Sequence, residues 1–335
     1  MSDSGCALLA DVGGTNARFA LWQNGEIRHV RFFSVSDFDS LENACAWYVN
    51  GLPGIEFEQA AFAIAGRISD EDIPFTNATW VLRRGSLCKL LNIDCIHVVN
   101  DFEAAALGTL DTPDEFLAHI TGPKARPGTR AVLGPGTGLG VATLAWLGGD
   151  SYVALAGEGG HVTLAACTDA EEDLIRHVRH TVDHPVSAED LVSGRGVLDL
   201  ARACSRQSGE PMTYKRPADL FDAAAGSKFA RRVVDFFYAF LGTVAHNLVL
   251  TTGADGGLYL AGGITAKNLD PLKASGFARR FADHRVYGDW LATVPVYAVS
   301  DPELAFRGLG RVLDRNTTSD ASNVLPISRS AQPRP

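Results

Sequence analysis

Residues 6–22, Cys6-Ala7-Leu8-Leu9-Ala10-Asp11-Val12-Gly13-Gly14-Thr15-Asn16-Ala17-Arg18-Phe19-Ala20-Leu21-Trp22, read as an apolar strand, a glycine turn over Asp11 to Asn16, and a second apolar strand from Phe19 to Trp22. A Rossmann fingerprint or a Walker loop has to open a helix, so neither is present here. The physical logic is still that of an anion site. Gly13 and Gly14 permit close backbone approach, their N–H groups can cradle phosphate oxygens, and Thr15 and Asn16 add donors. Asp11 is placed to hold Mg2+ through water. The competing reading is a tight hairpin in which Asp11 bonds only to its own turn.

A second stretch, Val98-Val99-Asn100-Asp101-Phe102-Glu103, brings a carboxylate to a strand end. Ile96 to Val99 is short and β-branched, as suits a buried strand, and Phe102 to Leu110 is an alanine- and leucine-rich helix. Asp101 then stands at the strand's carboxyl end, where open α/β sheets bind ligands, and is the candidate catalytic base. Capping of the helix by Asn100 or Asp101 is the competing role. Ile27 to Phe33 continues the first meander, Ser40 to Asn50 has helix spacing, and Ala60 to Ala65 is a buried strand, so this region is an α/β unit. The loop Ile73-Pro74-Phe75-Thr76-Asn77-Ala78-Thr79-Trp80 sets polar groups, Asn77 among them, between aromatics. It either binds a polyol or is anchored to the core by Trp80.

Pro113, Gly122, Pro123, Pro127 and Gly128 mark a loop-like crossing into a second domain. Ala131 to Leu133 then runs into Gly134-Pro135-Gly136-Thr137-Gly138-Leu139-Gly140 and out through Val141 to Leu147. Four glycines and a threonine in seven residues exceed what a simple hairpin needs and favour phosphate binding. Gly157-Glu158-Gly159-Gly160-His161 displays a carboxylate and an imidazole among glycines, groups able to read a sugar's hydroxyls; a solvated glutamate and a structural histidine are the alternatives. Glu171 to Val182 and Ser187 to Ser208 have helical patterns. The second opens with Ser187 and Asp190 spaced like a capping box and Glu189 as a partner for the helix dipole. Ser227 to Thr251 is a long, buried helix. Gly257 to Ile264 is a strand ending in Gly262 and Gly263, where a ring or ribose can approach or a helix can start. Val294 to Val299 is a last strand, Pro302 to Leu313 a helix, and the chain from Asn316 a disordered tail.

The chain is long enough for two domains at 335 residues, and its 46% hydrophobic and 21% charged content is that of a globular protein. Its net charge of -9 argues against a nucleic-acid surface, which would carry a basic patch. The start Met1-Ser2-Asp3-Ser4-Gly5 lacks a signal peptide's basic segment and apolar run, and no stretch is read as a membrane span. A cytoplasmic location with small-molecule partners, no nucleic acid and no membrane is the expectation. Six scattered cysteines without a CxxC pair look like reduced small hydrophobes.

In order, DVGGTNARFAL, VVNDF, GPGTGLG, GEGGH, SAEDLVSG and LAGGI, spread over residues 11–264, resemble bacterial ATP-dependent glucokinases. The resemblance covers nearly the whole chain except the tail. It implies an actin-like (ribonuclease H-like) α/β fold with two related domains closing over ATP and glucose. The expected boundaries are residues 1–111 plus about 301–314 for the small domain, 112–300 for the large one and 315–335 for the tail. It further implies a first phosphate loop at Asp11, Gly13, Gly14 and Thr15, with Asn16 beside it, a second at Gly136, Thr137 and Gly138, and an adenosine motif at Gly262 and Gly263. Asn100, Asp101, Glu158, His161 and Glu189 match the sugar-binding positions, with Asn77 as a further candidate. Asp101 would take the proton from the sugar 6-hydroxyl as it attacks the γ-phosphorus of Mg·ATP. The wider ROK sugar kinases carry a cysteine-rich zinc motif after GGH, which Cys167 to Asp173 lacks, so the chain resembles the non-zinc branch. A homodimer is expected on the same resemblance. Fructose or mannose kinases, a sugar-sensing regulator and a chaperone-like ATPase are the alternatives; the first strand begins too close to Met1 for an N-terminal DNA-binding module.

Overall fold

Strand β1 (Cys6–Val12) sends its side chains alternately into two cores, Leu8, Ala10 and Val12 into one and Ala7 and Leu9 into the other. A strand buried on both faces is a central strand, and β1 pairs antiparallel with β2 (Asn16–Gln23) and parallel with β4 (Phe57–Ile64). With β3 (Glu26–Ser34) and β7 (Cys95–Asn100) they form a sheet in the order β3-β2-β1-β4-β7. A ribbon of β5 (Ile73–Pro74) and β6 (Val81–Leu82) stands apart. This computed structural model describes residues 5–66, 68, 72–75 and 80–318.

The second half repeats the plan. Strands β9 (Arg130–Pro135), β10 (Leu139–Gly148) and β11 (Ser151–Gly157) form an antiparallel meander. Strands β12 (Gly257–Leu260) and β13 (Val296–Val299) continue it in parallel, and β8 (Leu117–Thr121) closes the edge. The order is β11-β10-β9-β12-β13-β8. The two glycine turns, between β1 and β2 and between β9 and β10, therefore occupy equivalent places in two similar sheets. Strand β8 lies in the segment read as a loop crossing, because its pairing with β13 supplies order that its turn-rich flanks conceal.

Helices α1 (Leu41–Asn50) and α2 (Arg84–Leu91) cover one face of the first sheet through Leu41, Ala44, Cys45, Tyr48, Leu87 and Leu91. Helix α3 (Asp101–Gly108) leads from β7 and lays Ala105, Ala106 and Leu107 on the second sheet, against Val132, Ala142 and Tyr259. The opposite face of the second sheet packs on α4 (Asp169–Arg179), α5 (Gly194–Ser208), α6 (Pro217–Ala223) and α7 (Lys228–Thr252). Short helices α8 (Gly263–Lys267), α9 (Leu269–Ala274), α10 (Phe277–Ala282) and α11 (Gly288–Leu291) follow. Helix α12 (Leu304–Thr318) returns to the first sheet, with Ala305, Phe306, Leu309 and Leu313 against Ala7, Leu9, Ala20, Ala61 and Ala63. Alanines on that sheet face let the helix come close. It crosses α3 backbone to backbone: a Cβ at Gly308 would overlap the Ala104 carbonyl, and one at Gly108 the Leu304 carbonyl.

Several expectations change. Helix α5 starts at Gly194, capped by Ser193, rather than at Ser187. The chain at Ser187 instead pairs with residues 160–163: Thr163 bridges Ser187, Ala188 N–H donates to the Val162 carbonyl and Glu189 N–H to that of Gly160, and a turn follows in which Val192 N–H donates to the Ala188 carbonyl at 2.8 Å. The acid half of the anticipated capping box survives on a turn, where Asp190 accepts from both Ser187 N and Oγ at 2.8 Å. The pair Gly262-Gly263 starts helix α8. Helix α12 runs through residues 315–318, where the sequence predicts the start of the tail; residues 319–335 lie outside the described part. Helix α7 is long and apolar enough to cross a membrane, contrary to the sequence reading, but Phe237, Tyr238 and Phe240 on it are fully buried in the protein core. All six cysteines are free.

Candidate active site

Register places the carboxylates. Val12 on β1 pairs with Ile64 on β4, and Ile64 with Asn100 on β7, so the ends of three parallel strands lie in one row. Asp11 and Asp101 flank that row, two strand spacings or about 10 Å apart across the sheet.

Asn100 is the helix cap. Its Oδ1 accepts from Phe102 N at 2.9 Å and Glu103 N at 3.3 Å, while its Nδ2 donates to the Gly66 carbonyl at the end of β4. That frees Asp101 from capping. Its Oδ1 accepts from Phe102 N at 3.0 Å, and its own backbone N–H also faces the carboxylate. Burial is the main cause that raises the Asp101 carboxyl from its ordinary 3.8 to about 7, followed by the charge of Asp11. The Phe102 N–H works in the opposite direction, and Glu158 adds a smaller push upward. A carboxylate poised near neutrality suits a general base. Residues from three separate motifs thus share one electrostatic site.

Phe102 locks this geometry. Its ring lies against the cross-strand pair Gly134 and Gly140, where a Cβ at either position would overlap it. Two of the four glycines first credited to phosphate binding therefore seat the residue that follows Asp101. The turn itself is Gly136 to Gly138, closed by Gly136 N–H donating to the Gly138 carbonyl at 2.8 Å. In the first hairpin Gly13 N–H donates to the Asn16 carbonyl at 3.0 Å, and the N–H groups of Gly14 and Thr15 have no partner among the described residues. Those free donors fit an anion. Gly262, at φ 105°, packs against the second hairpin, its Cβ direction 2.8 Å from the Pro135 carbonyl, while the Cβ direction of Gly263 opens onto space.

Arg18 was missed. Asp11 pairs across the hairpin with Arg18, which donates from Nε to Asp11 Oδ2 at 2.9 Å and from a second guanidinium nitrogen to the same oxygen. Arg18 also donates to the Pro302 carbonyl at 2.5 Å and lies over the Phe306 ring, so it ties the hairpin to the start of α12. The hairpin spacing carried the signal, since a turn centred on Gly14 and Thr15 sets residue 11 opposite residue 18. Among the described residues no three His, Cys, Asp or Glu side chains cluster as a metal site. Arg18 occupies Asp11 Oδ2, so Mg2+ at this turn would meet only the remaining carboxylate oxygen and would depend largely on phosphate oxygens.

In the GEGGH stretch, Glu158 and His161 are 68% and 61% exposed in their side chains, with Glu158 Oε2 and His161 Nε2 3.9 Å apart. Neither side chain is buried in the core, and the exposure of Glu158 fits a hydroxyl-binding carboxylate and a solvated one alike. Glu189 is not a helix-dipole partner: its Oε2 accepts from Leu139 N at 2.8 Å, directly beside Gly138. Asn77 lies outside the described residues. Trp80 is buried and donates from Nε1 to the Phe38 carbonyl at 3.0 Å, as an anchor would. A separate cavity of about 850 Å3 opens between α4, α7 and α10, contains none of the expected substrate residues, and is lined by the ion pair of buried Glu171 with half-buried Arg280.

The family model described as Glucokinase matches residues 8–316. A glucokinase of Saccharophagus degradans is 35% identical over 316 residues, covering 92% of this chain and 98% of that protein. Among solved structures, a glucokinase from an Antarctic psychrotroph is 31% identical with a TM-score of 0.83, covering 94% of this chain and all of that one. A glucokinase from Balamuthia mandrillaris, solved in complex with glucose, is 25% identical with a TM-score of 0.76, covering 92% and 93%.

Proposed function

The chain belongs to the glucokinase family and is an ATP-dependent sugar kinase that phosphorylates glucose, and on that premise we propose that Asp101 is its general base. One observation carries the assignment: Asn100 does the capping, so the half-buried Asp101 carboxylate is left to titrate, with a proton affinity near neutrality. The glucose 6-hydroxyl hydrogen-bonds to Asp101, which accepts its proton as the oxygen attacks the γ-phosphorus and ADP leaves. General-base assistance is worth about 10²–10⁴-fold, so positioning and charge stabilisation carry the remainder in a loose phosphoryl transition state.

Asn100, Glu158, His161 and Glu189, with Asn77, orient the sugar hydroxyls. Gly13, Gly14, Thr15 and Asn16 hold phosphate oxygens from one hairpin and Gly136, Thr137 and Gly138 from the other, while Gly262 and Gly263 accept the adenosine. When bound, Mg2+ screens phosphate charge beside Asp11. We further propose that residues 1–111 with α12, and residues 112–300, act as the two closing domains, excluding water as a competing acceptor. The chain is proposed to work in the cytoplasm as a homodimer.

The test is ADP release from Mg·ATP with and without glucose, comparing wild type with Asp101→Asn. Glucose-dependent release that falls by at least about a hundredfold in the variant, with glucose binding largely kept, is the expected result. Full activity in the variant assigns the base elsewhere.

A further inference from the structure

The segment 187–194 touches both halves of the proposed site. At its start Ala188 and Glu189 donate backbone N–H groups to the Val162 and Gly160 carbonyls, within and beside the GEGGH stretch. At its end Gly194 N–H donates to the Gly136 carbonyl at 2.8 Å, in the phosphate hairpin. Between them the Glu189 side chain reaches the same hairpin, with Oε2 accepting Leu139 N–H at 2.8 Å. Gly138 has no room for a Cβ because this carboxylate fills it. The buried carboxylate of Asp190 keeps the turn tight through Ser187. Glu189 Oε1 has no hydrogen bond among the described residues.

We propose that Glu189 couples the two substrates: Oε1 takes a glucose hydroxyl while Oε2 remains on the phosphate hairpin, so that either substrate organises the site for the other. The inference rests on the sugar-kinase reading of this site. A carboxylate is suited to the task because its two oxygens accept independently. Glucose at Oε1 fixes the side chain that fixes Leu139 N–H, and the hairpin is then ordered before the nucleotide arrives. Linkage requires the reciprocal effect, by the same factor, of nucleotide on glucose binding.

Calorimetric titration of glucose into the full chain, with and without Mg2+ and a non-hydrolysable ATP analogue, reads the coupling. In the wild type the analogue should tighten glucose binding by about fivefold or more. Glu189→Asp keeps the charge but is one methylene too short to span both contacts, so the ratio should fall to about one. Glu158→Gln should weaken glucose binding while the ratio stays at the wild-type value. A wild-type ratio of one, or an undiminished ratio in Glu189→Asp, overturns the proposal. Should Glu189→Asp fail to fold, hydrogen exchange on the wild type decides. Glucose alone should slow exchange across residues 136–142, and unchanged exchange overturns the coupling. Failure of the sugar-kinase reading is separate, since it appears as ADP release that ignores glucose.

Discussion

Replacing Asp101 by Asn removes a titrating group and little else in shape. The folded protein holds the Asp101 proton up to about pH 7, whereas an unfolded chain releases it near the ordinary 3.8. Between those values the native state binds more protons than the unfolded state, so this group stabilises the fold at low pH and its contribution is lost as pH rises toward 7. At about 1.36 kcal/mol per pH unit, the interval from about pH 5 to about pH 7 corresponds to a ceiling of about 3 kcal/mol. Partial solvent access reduces this to an expected ~1.5–2 kcal/mol. The Asn variant does not titrate, so its stability relative to wild type should rise by that amount between about pH 5 and about pH 8. Urea unfolding of both proteins at the two pH values measures it, and titrations common to both cancel in the difference. A stability difference that is equal at both pH values, or that moves the other way, refutes the burial of Asp101 as the origin of its proton affinity.

With Asp101 as the proposed base, kcat/KM should fall about tenfold per pH unit below about pH 7, and an unbroken plateau down to about pH 5 would contradict a base of this affinity. Gly140→Ala pushes a methyl into the Phe102 ring, with an expected loss of ~1–3 kcal/mol by denaturation and a fall in kcat with glucose KM less affected. Arg280→Met strands the buried Glu171, which Arg280 and Cys167 N–H now satisfy, and should cost about 3–5 kcal/mol. Adding Glu171→Leu should restore part of it, and a double mutant no more stable than the single would argue against that origin. Gly308→Ala should destabilise by ~1–3 kcal/mol, read as a lower unfolding midpoint, because the added methyl meets the α3 backbone.

Much of the site was legible because its parts are local. A hairpin that turns on Gly13 and Gly14, a strand that ends at Asp101, and carboxylates set among glycines are each properties of a few consecutive residues, and the sequence states them directly. What those residues do next was less legible. Asn100 and Asp101 are equally good caps by composition, and only the fold shows Asn100 capping while Asp101 is left to titrate. Gly134 and Gly140 look the same as Gly136 and Gly138 in a string of letters, yet one pair seats an aromatic ring from another element and the other pair makes the turn. Ser187 to Asp190 spells a helix start, but pairing with residues 160–163 outweighs that local preference.

The sequence by itself therefore determined most of the alternation of strands and helices, the two glycine turns and the placing of a carboxylate at the end of a buried strand, since backbone angles and burial periodicity are set largely by neighbouring residues. Tertiary structure alone decided that Asp11, Asp101 and Glu158 share one field, that Arg18 answers Asp11 and steadies α12, and that Glu189 bonds to the second glycine hairpin. Those contacts join residues up to hundreds of positions apart. Electrostatic energy and steric overlap depend on distance through space, which strand register and helix packing fix and which spacing along the chain does not.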